Sequence, residues 1–306
     1  MSKLSTAFRL AYSEPKNFMF ALVYGLSRVL PDALYIRLLF KLKMGYKLNL
    51  KNPKTFNEKL NWLKLYNRYP EYTTMVDKYK VKDYVARLIG EEYIVPLYGV
   101  WQDANDIEWN QLPEQFVLKT NHNSCYNLVC RDKSLVNRDE ASAEMKKSLK
   151  KNLFYALGEW PYKNVPPRII AEKLLVSKEQ KQNAPLIDYK FWCFDGKPTY
   201  MYFSIKGDGC YENFYDMDFN IVDVNHGWPR HNPEFSKPTS WEKMKELAAI
   251  LSKDIPFVRV DFYEIDGHPF FGELTFFDWA GLRPFDSYET DLKLGELIHI
   301  PSKKVC

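Results

Sequence analysis

The stretch Phe257-Val-Arg-Val-Asp-Phe-Tyr-Glu-Ile-Asp-Gly-His-Pro-Phe-Phe-Gly-Glu-Leu-Thr-Phe276 decides the fold of this 306-residue chain. Two runs of alternating residues flank Asp266-Gly267, which is the pattern of a β-hairpin. A three-residue loop from Asp266 to His268 would close it. A two-residue turn would shift the register by one residue and divide the acidic side chains of the two strands between opposite faces.

The register that follows from the three-residue loop sets two acidic residues side by side. Asp261 would lie opposite Glu273, and Arg259 opposite Thr275, all on one face. Opposed carboxylates repel each other on a sheet, and a hard divalent cation such as Mg²⁺ would relieve that repulsion. A solvated strand face is the alternative. The other face is apolar and consists of Val258, Val260, Phe262, Gly272, Leu274 and Phe276.

The composition is that of an ordinary folded protein, with 46% hydrophobic and 27% charged residues. A net charge of +4 is too small to indicate a nucleic-acid partner. The first ten residues are polar and give no secretory signal. The cysteines are scattered without metal-binding spacing, which favours a reducing, cytoplasmic location. They are Cys125, Cys130, Cys193, Cys210 and Cys306.

Residues 17–43 are apolar but too interrupted by charges and proline to span a bilayer. Within them, residues 32–43 have the pattern of an amphipathic helix with a basic side. We expect this helix to pack on its own domain, as most amphipathic helices do. The alternative is peripheral contact with an anionic membrane surface at the inner face of the membrane.

Hydrophobic periodicity predicts an α+β chain whose second half is largely antiparallel. Thr55 and Glu58 form a capping-box pattern at the start of one helix. The segment 206–240 is predicted to be irregular. Predicted helices cover 54–65, 74–89, 138–153 and 241–253; predicted strands cover 93–95, 116–120, 168–176, 188–194 and 199–205, besides the hairpin.

Three charged residues stand in or at the end of apolar strands. Lys119 precedes a loop of small polar residues, 121–125, where a lysine suits a phosphate group, although it could also reach solvent. Glu172 lies in an apolar strand, where an unpaired charge is unfavourable. It could accept a hydrogen bond from an adenine amino group or pair with a lysine. Lys190 lies in a strand of aromatic residues, where an unpaired charge is likewise unfavourable.

These motifs, in this order, resemble those of ATP-grasp enzymes, and most closely the teichuronopeptide-biosynthesis-like (TupA-like) branch. The resemblance covers about residues 52–301. It implies an α+β ATP-grasp fold that holds ATP between two antiparallel lobes. The implied organisation is a helical segment 1–50, an α/β lobe 51–112, a small ATP-grasp subdomain 113–176 and a large subdomain 177–306 with the magnesium site. The motifs are Phe116–Lys119, Ile169–Leu175, Asp188–Gly196 and Arg259–Thr275.

The resemblance also implies roles for individual residues. Lys119 and Lys190 would bind ATP phosphates while the loop with Ser124 closes over them. Arg259 and Arg283 would steer phosphate or substrate. Mg²⁺, or alternatively Mn²⁺, would be held by Asp261, Glu273 and Thr275. The adenine would meet Glu172 and the backbone of Lys173, Leu174 and Leu175.

The chain departs from the family pattern at three places. Cys125 stands where the loop usually has glycine, and Thr275 where the wider superfamily has asparagine. A hydroxyl can still bind Mg²⁺, but more weakly than a carboxylate. The segment 277–284 differs from the small-residue turn expected there, which bears on acceptor binding.

The implied reaction is ATP-dependent ligation of a carboxylate to an amine through an acyl phosphate. The family context suggests a uronic acid of a surface polysaccharide and an amino acid. Three alternatives remain at this point. One is a glycan kinase, and another is a glycosyltransferase using Asp216-Met217-Asp218, a pattern typical of Mn²⁺ and sugar-nucleotide binding but of low specificity. The third is a non-catalytic binding module.

Overall fold

The computed structural model describes residues 15–124, 126–177, 186–206, 210–230 and 235–303. The α-helices of this part are α1 Pro15–Gly25, α2 Asp32–Met44, α3 Phe56–Tyr66, α4 Glu71–Val76, α5 Lys80–Ile89, α6 Arg138–Leu149, α7 Leu153–Leu157, α8 Trp241–Ser252 and α9 Tyr288–Glu296. The strands are β1 Leu97–Trp101, β2 Phe116–Thr120, β3 Asn127–Cys130, β4 Ile169–Lys173, β5 Asp188–Phe194, β6 Lys197–Lys206, β7 Cys210–Tyr215, β8 Phe257–Ile265 and β9 His268–Thr275.

The strands form two antiparallel sheets, which confirms the predicted α+β class. The small sheet has the order β1-β4-β2-β3 and the large sheet β7-β6-β5-β8-β9. Every pair of neighbouring strands within them is antiparallel. Because β1 pairs with β4, the small sheet draws strands from both sides of the predicted boundary at residue 112.

The hairpin of β8 and β9 has the predicted register at its charged end, but for a different reason. Asp261 pairs with Glu273. The turn nevertheless has two residues, because Ile265 already pairs with His268. The prediction of a three-residue loop was therefore wrong. A β-bulge beyond Asp261 inserts one extra residue into β9 and restores the shared face.

Each sheet buries one face against helices and leaves charged side chains on the other. In the small sheet, Phe116 and Leu118 alternate with Lys119 and pack in a core with Met145 of α6. The large sheet packs one face on α8, where Phe191 meets Trp241 with ring centroids 5.2 Å apart. Alternation along the strands thus separates a core face from a polar face in the small sheet. In the large sheet the face that carries Lys190 also carries Trp192, which stacks on Phe56 of α3 with ring centroids 4.9 Å apart.

The helix predicted over 74–89 is two helices, α4 and α5. Asp77 breaks it because its carboxylate accepts the backbone N–H groups of Tyr79 and Lys80 at 2.9 and 3.4 Å, an alternative to continuing the first helix. The capping box of Thr55 and Glu58 is present at the start of α3, as predicted.

Three other predicted elements differ from the structure. The strand predicted over 93–95 is wrong, since Glu91–Tyr93 is a 3₁₀ helix and β1 begins after Pro96. Strand β7 lies in the segment predicted to be irregular, where glycine and aromatic residues hid its alternation. Helix α6 ends at Leu149 rather than at residue 153.

Helix α2 packs on the domain through Tyr35, Ile36, Leu39 and Phe40, which are buried. This confirms the expectation that its apolar side faces a core. Among the residues that the structure describes, no helix combines the length and the apolar character needed to cross a bilayer.

Candidate active site

A row of polar side chains crosses the large sheet from β6 to β9. Tyr202 pairs with Lys190, Lys190 with Asp261, and Asp261 with Glu273. Because directly opposed residues share a face of a sheet, the four side chains lie on one surface. The Asp261 side chain is 1% exposed, whereas that of Glu273 is 29% exposed, so the surface is buried at Asp261 and reaches solvent at Glu273.

Arg259 holds the carboxylates of this surface together. Its Nε and Nη2 donate to the two oxygens of Asp261 at 2.7 and 2.6 Å. Nη2 also donates to Glu273 Oε1 at 3.0 Å. Nη1 donates to Asp278 and, at 3.3 Å, to the hydroxyl of Tyr202. The guanidinium therefore supplies the positive charge toward which the two predicted metal ligands converge.

Lys190 adds a second cation to the row. Its Nζ lies 3.2 Å from Asp261 Oδ2 and also contacts Asp188 Oδ2. Burial opposes the charged ammonium, but Asp188 and Asp261 outweigh it and raise the Lys190 pKa. The second oxygen of Asp188 is buried and has no hydrogen-bond partner in the described part of the chain. It leaves an acceptor free for a ligand.

The two opposed carboxylates have different proton affinities. Burial raises the pKa of Asp261 to about 6, although Arg259 and Lys190 oppose the shift. Burial acts in the same direction on Glu273, but nearby cations, above all Lys78 and Arg259, outweigh it and lower the pKa to about 2. Of the pair, Glu273 is therefore the more firmly ionised.

On the small sheet, Glu172 is paired with two lysines. Its carboxylate oxygens lie 2.7 Å from Lys82 Nζ and 2.6 Å from Lys119 Nζ. Burial alone would raise the Glu172 pKa, but the two ammonium groups lower it. The sequence left two partners open for Glu172, an adenine amino group or a lysine. In the structure Glu172 pairs with lysines.

The charged groups of the two sheets lie within electrostatic reach of each other. Lys119, on β2, is one of the cations that lower the pKa of Glu273, on β9. Lys78, between α4 and α5, lies 3.4 Å from Glu273 and donates to the backbone oxygen of Asn123 at 3.1 Å. The site is therefore formed by the polar faces of both sheets and by the residues that join α4 to α5.

The first part of the loop after β2 is a fixed wall of the site. Asn121, His122 and Asn123 are buried. Asn121 donates to Asp77 at 2.8 Å, and Asn123 donates to the backbone oxygen of Ser148 at 2.8 Å. Ser124 is exposed, and Cys125 lies outside the described residues. A loop closure of the kind implied by the resemblance would thus involve only residues beyond Asn123.

The segment expected to meet adenine leaves β4 immediately after Glu172. The N–H of Lys173 donates to the carbonyl of Pro96 at 2.9 Å. Leu174 and Leu175 follow outside the strand and are half-buried. Of the three residues expected to meet adenine, Lys173 therefore has its backbone N–H engaged within the protein.

The segment that follows Asp278 has a strained, left-handed backbone. Trp279, Ala280 and Gly281 all have positive φ, at 46°, 57° and 57°. Non-glycine residues adopt such angles at an energetic cost, often at functional sites. Helix α3 holds the segment in place, because Asn61 donates to the carbonyl of Gly281 at 2.7 Å and Lys64 donates to that of Ala280.

Arg283 stands at the end of this strained segment. Its guanidinium lies 3.8 Å from the ring centre of Trp228 and 4.4 Å from that of Trp279. It also donates to the backbone oxygen of His226 at 3.1 Å. Among the described contacts, Arg283 does not touch Arg259 or the carboxylates. It therefore borders the charged network without belonging to it.

The donor set of the site suits a magnesium ion bound together with nucleotide phosphates. Asp261 and Glu273 present carboxylates to a common point, and Thr275 Oγ1 lies 3.3 Å from Glu273 Oε1. Within the described ranges, no group of three or more histidine, cysteine or acidic side chains could hold a metal alone. Mg²⁺ usually takes only one or two carboxylates and completes its shell with phosphates and water. The residues present therefore fit the ion.

The Asp216-Met217-Asp218 motif is a self-contained turn. The carboxylate of Asp216 accepts the backbone N–H groups of Asp218 and Asn220 at 2.9 and 2.8 Å. It also accepts the side-chain amide of Asn220 at 3.1 Å. Asp216 thus has a local structural role, which weakens the glycosyltransferase alternative.

Sequence reasoning missed five residues of the network. Lysines of α-helices and their ends are usually solvated, and nothing in the local pattern separates those of the site from Lys80, which is exposed. The acidic residues and the tyrosine are placed by long-range pairing that only the fold provides. The missed residues are Lys78, Lys82, Asp188, Tyr202 and Asp278.

Comparison with solved structures returns ATP-grasp ligases at low similarity. D-alanine–D-alanine ligase from Bacillus anthracis, complexed with ATP, matches with a TM-score of 0.39 and 15% identity, over 72% of this chain and 58% of that chain. ATP-grasp ligase PsnB, complexed with its minimal precursor, matches with a TM-score of 0.40 and 10% identity, over 74% and 61%. D-alanine–D-alanine ligase from Helicobacter pylori gives 0.40 and 14%, over 80% and 69%.

This chain spans less than two thirds of the length of the first two of these ligases. Likenesses this distant carry no information about substrate. None of the curated proteins compared matches the chain.

The family comparison is decisive. The model of the TupA-like ATP-grasp family matches residues 58–299, which include every strand of both sheets and all the charged residues of the site. It agrees with the resemblance inferred from the order of the sequence motifs. The chain therefore belongs to the TupA-like ATP-grasp family.

Proposed function

We propose that this protein is an ATP-dependent carboxylate–amine ligase that acts through an acyl phosphate. The proposed substrates are a uronic acid of a surface polysaccharide and an amino acid. The observation that carries the proposal is the pairing of Asp261 with Glu273 on one face, with Arg259 between them. Lys119 and Glu172 lie on the other sheet, close enough for Lys119 to act on Glu273.

The first chemical step would form the acyl phosphate. A carboxylate oxygen of the uronic acid attacks the γ-phosphorus of ATP, and the bond from that phosphorus to the β,γ-bridging oxygen breaks, so ADP leaves. Lys119 and Lys190 would neutralise the phosphate oxygens as charge moves onto ADP. Mg²⁺, held by Asp261 and Glu273, would supply further neutralisation of phosphate charge. Arg259 would orient the carboxylate that attacks.

The second step would form the amide. The amine nitrogen attacks the acyl carbon, an oxyanion develops, and inorganic phosphate leaves as the amine loses a proton to solvent or phosphate. A guanidinium fixed by several carboxylates is preorganised to stabilise such an oxyanion. Arg259 meets this description, because Asp261, Glu273 and Asp278 all hold it.

A product assay tests the proposal. The protein is incubated with Mg-ATP, glucuronic or galacturonic acid, and a panel of amino acids, and the products are identified by mass spectrometry. We expect ADP and inorganic phosphate in equal amounts with an amide whose mass is that of both substrates less one water.

The assay also separates the alternatives. A phosphorylated sugar with ADP, and no inorganic phosphate, would identify a glycan kinase and contradict the ligase. In a parallel incubation with a nucleotide sugar and no ATP, transfer of the sugar would identify a glycosyltransferase. Absence of ATP consumption with every acid and amine of the panel would count against the proposed substrates, whereas failure to bind Mg-ATP at all would count against the site.

A further inference from the structure

The N-terminal helical hairpin of α1 and α2 exposes an unusual number of large apolar side chains. Six of them between residues 19 and 34 are at least 45% exposed, whereas only four other large apolar residues of the described chain reach that exposure, and they are scattered along it. Three of the six follow the spacing of one helix face, at positions 19, 22 and 26. The six are Met19, Leu22, Tyr24, Leu26, Val29 and Leu34. An apolar surface of this kind marks an interaction site.

The same part of the chain carries a strong positive charge. Residues 15–54 contain eight lysines and arginines but one acidic residue, a net charge of +7, whereas the whole chain has +4. The single acid, Asp32, is paired with Arg68 at 2.7 Å. The basic residues are Lys16, Arg28, Arg37, Lys41, Lys43, Lys47, Lys51 and Lys54.

A basic groove of about 680 Å³ adjoins this hairpin, between α2, α3 and residues 298–303. Arg37, Lys51, Lys59 and Lys303 line it, and no acidic residue does. Lys59 is engaged, because it donates to backbone carbonyls at 2.7 and 2.9 Å. Arg37, Lys51 and Lys303 have no carboxylate partner among the described residues, although Lys303 Nζ lies 4.2 Å from the ring centre of Tyr66. Cations without a neighbouring carboxylate suit a phosphate group.

The apolar and the basic residues meet on α2. Leu34, Arg37 and Lys41 are exposed and follow the i, i+3, i+7 spacing of a single helix face. The opposite face is buried in the domain core. Helix α2 therefore joins the apolar residues of α1 to the basic groove in one continuous surface.

We propose that this surface, formed by α1, α2 and the basic groove, docks the protein on an anionic phospholipid bilayer. The apolar side chains would enter the boundary between headgroups and acyl chains, and the basic ones would contact headgroup phosphates. Excess positive charge beside exposed apolar residues complements an anionic bilayer better than the mixed surface of a protein partner. The inference does not depend on the proposed ligase chemistry, because none of these residues belongs to the active site.

Sedimentation with vesicles tests this inference on the full chain. One set of vesicles is pure phosphatidylcholine, and the other is an equal mixture of phosphatidylcholine and phosphatidylglycerol. We expect binding to the mixed vesicles alone, and weaker binding as salt is added. Equal binding to both sets, or binding to neither, would overturn the proposal.

Matched variants locate the contact. Val29→Glu and Arg37→Glu should each weaken the partition coefficient at least about fivefold, since one basic residue near an anionic surface is worth about that much. Leu135→Glu and Arg131→Glu change equally exposed residues of the small-sheet region and should leave binding unchanged. Equal loss in all four variants, or no loss in the first two, would contradict the assigned surface. ATP turnover in solution should be the same in all four.

Discussion

At the scale of residues, the site depends on how three acidic groups share one guanidinium. Arg259 contacts Asp261, Glu273 and Asp278. Two lysines add positive charge beside these carboxylates: Lys190 lies next to Asp261, and Lys78 next to Glu273. A network of this kind keeps its buried charges paired while offering carboxylate oxygens to a metal ion.

The first prediction concerns the carboxylate of Asp261. Asp261→Asn should lower ATP turnover at least about a hundredfold, because it removes a proposed ligand of the metal and a charge that orients Arg259. The fold should survive, since Arg259 keeps Glu273 and Asp278, and Lys190 keeps Asp188. The measurement is steady-state ADP release, together with a melting curve.

The matched control for that prediction is Asp216→Asn. It makes the same chemical change in the turn of Asp216-Met217-Asp218, where the Asp216 carboxylate accepts local backbone N–H groups. Turnover should stay near the wild-type value. Loss of activity in the Asp216 variant but not in the Asp261 variant would indicate that the metal binds at the turn and not at Asp261.

A second prediction concerns Lys82, which sequence reasoning missed. Lys82→Met removes a 2.7 Å ion pair with Glu172 and should raise the KM for ATP about tenfold, as expected for one charged hydrogen bond. The kcat should change less than the KM, because Lys82 pairs with Glu172 and not with the carboxylates proposed to hold the metal. Lys80→Met, on the same helix but exposed, is the control. Equal KM values for the two variants would show that the pairing of Glu172 with its lysines does not contribute to nucleotide binding.

The site residues that the sequence predicted were charged residues surrounded by apolar or aromatic ones. Glu172 stood out because it interrupts an apolar strand, and Lys190 because aromatic residues flank it. Lys82 could not stand out, since a lysine on an amphipathic helix normally faces water. Only the packing of α5 against the small sheet turns it toward Glu172.

At the scale of elements, the hairpin of β8 and β9 shows how a correct register can follow from a wrong turn. The sequence predicted which residues pair at the charged end, because carboxylates and apolar residues must lie on separate faces. It did not predict the bulge, since a glycine in a strand has several structural explanations. Two errors, the loop length and the missing bulge, cancelled.

The third prediction tests the bulge itself. A Cβ at Gly272 would lie 3.1 Å from the backbone oxygen of Asp261 and 3.3 Å from the ring of Tyr263. Gly272→Ala should therefore destabilise the protein by about 1 kcal/mol and lower turnover by displacing Glu273. The measurements are urea denaturation and ADP release. Gly25→Ala, where a Cβ meets nothing within 4 Å, should have neither effect. A Gly272→Ala variant with wild-type stability and activity would show that the bulge tolerates a side chain.

At the scale of the whole molecule, charge is distributed unevenly. Residues 15–54 carry more positive charge than the chain as a whole, whereas the active site gathers cations and carboxylates in nearly equal numbers. The composition alone, with its mild +4, concealed both features. The first can be counted along the sequence, whereas the second appears only when the fold shows which charges are neighbours.

A fourth prediction follows from the buried acid Glu159. Burial raises its pKa to about 7, although Lys64 opposes the shift. A carboxyl whose pKa is higher in the folded protein stabilises the fold at low pH, and that contribution is lost as pH rises from about 4.5 to about 7. Glu159→Gln should therefore melt progressively higher than the wild type across this range. Parallel melting curves at all pH values in the range would contradict the shifted pKa.

The most direct test of the account is a crystal structure with Mn²⁺ and ADP, recorded so that manganese gives an anomalous signal. We expect a manganese peak bonded to the carboxylates of Asp261 and Glu273, with the diphosphate beside Lys119 and Lys190. We also expect the adenine next to Leu174 and Leu175. A manganese peak at Asp216 and Asp218, or nucleotide bound away from Lys119 and Lys190, would contradict this assignment.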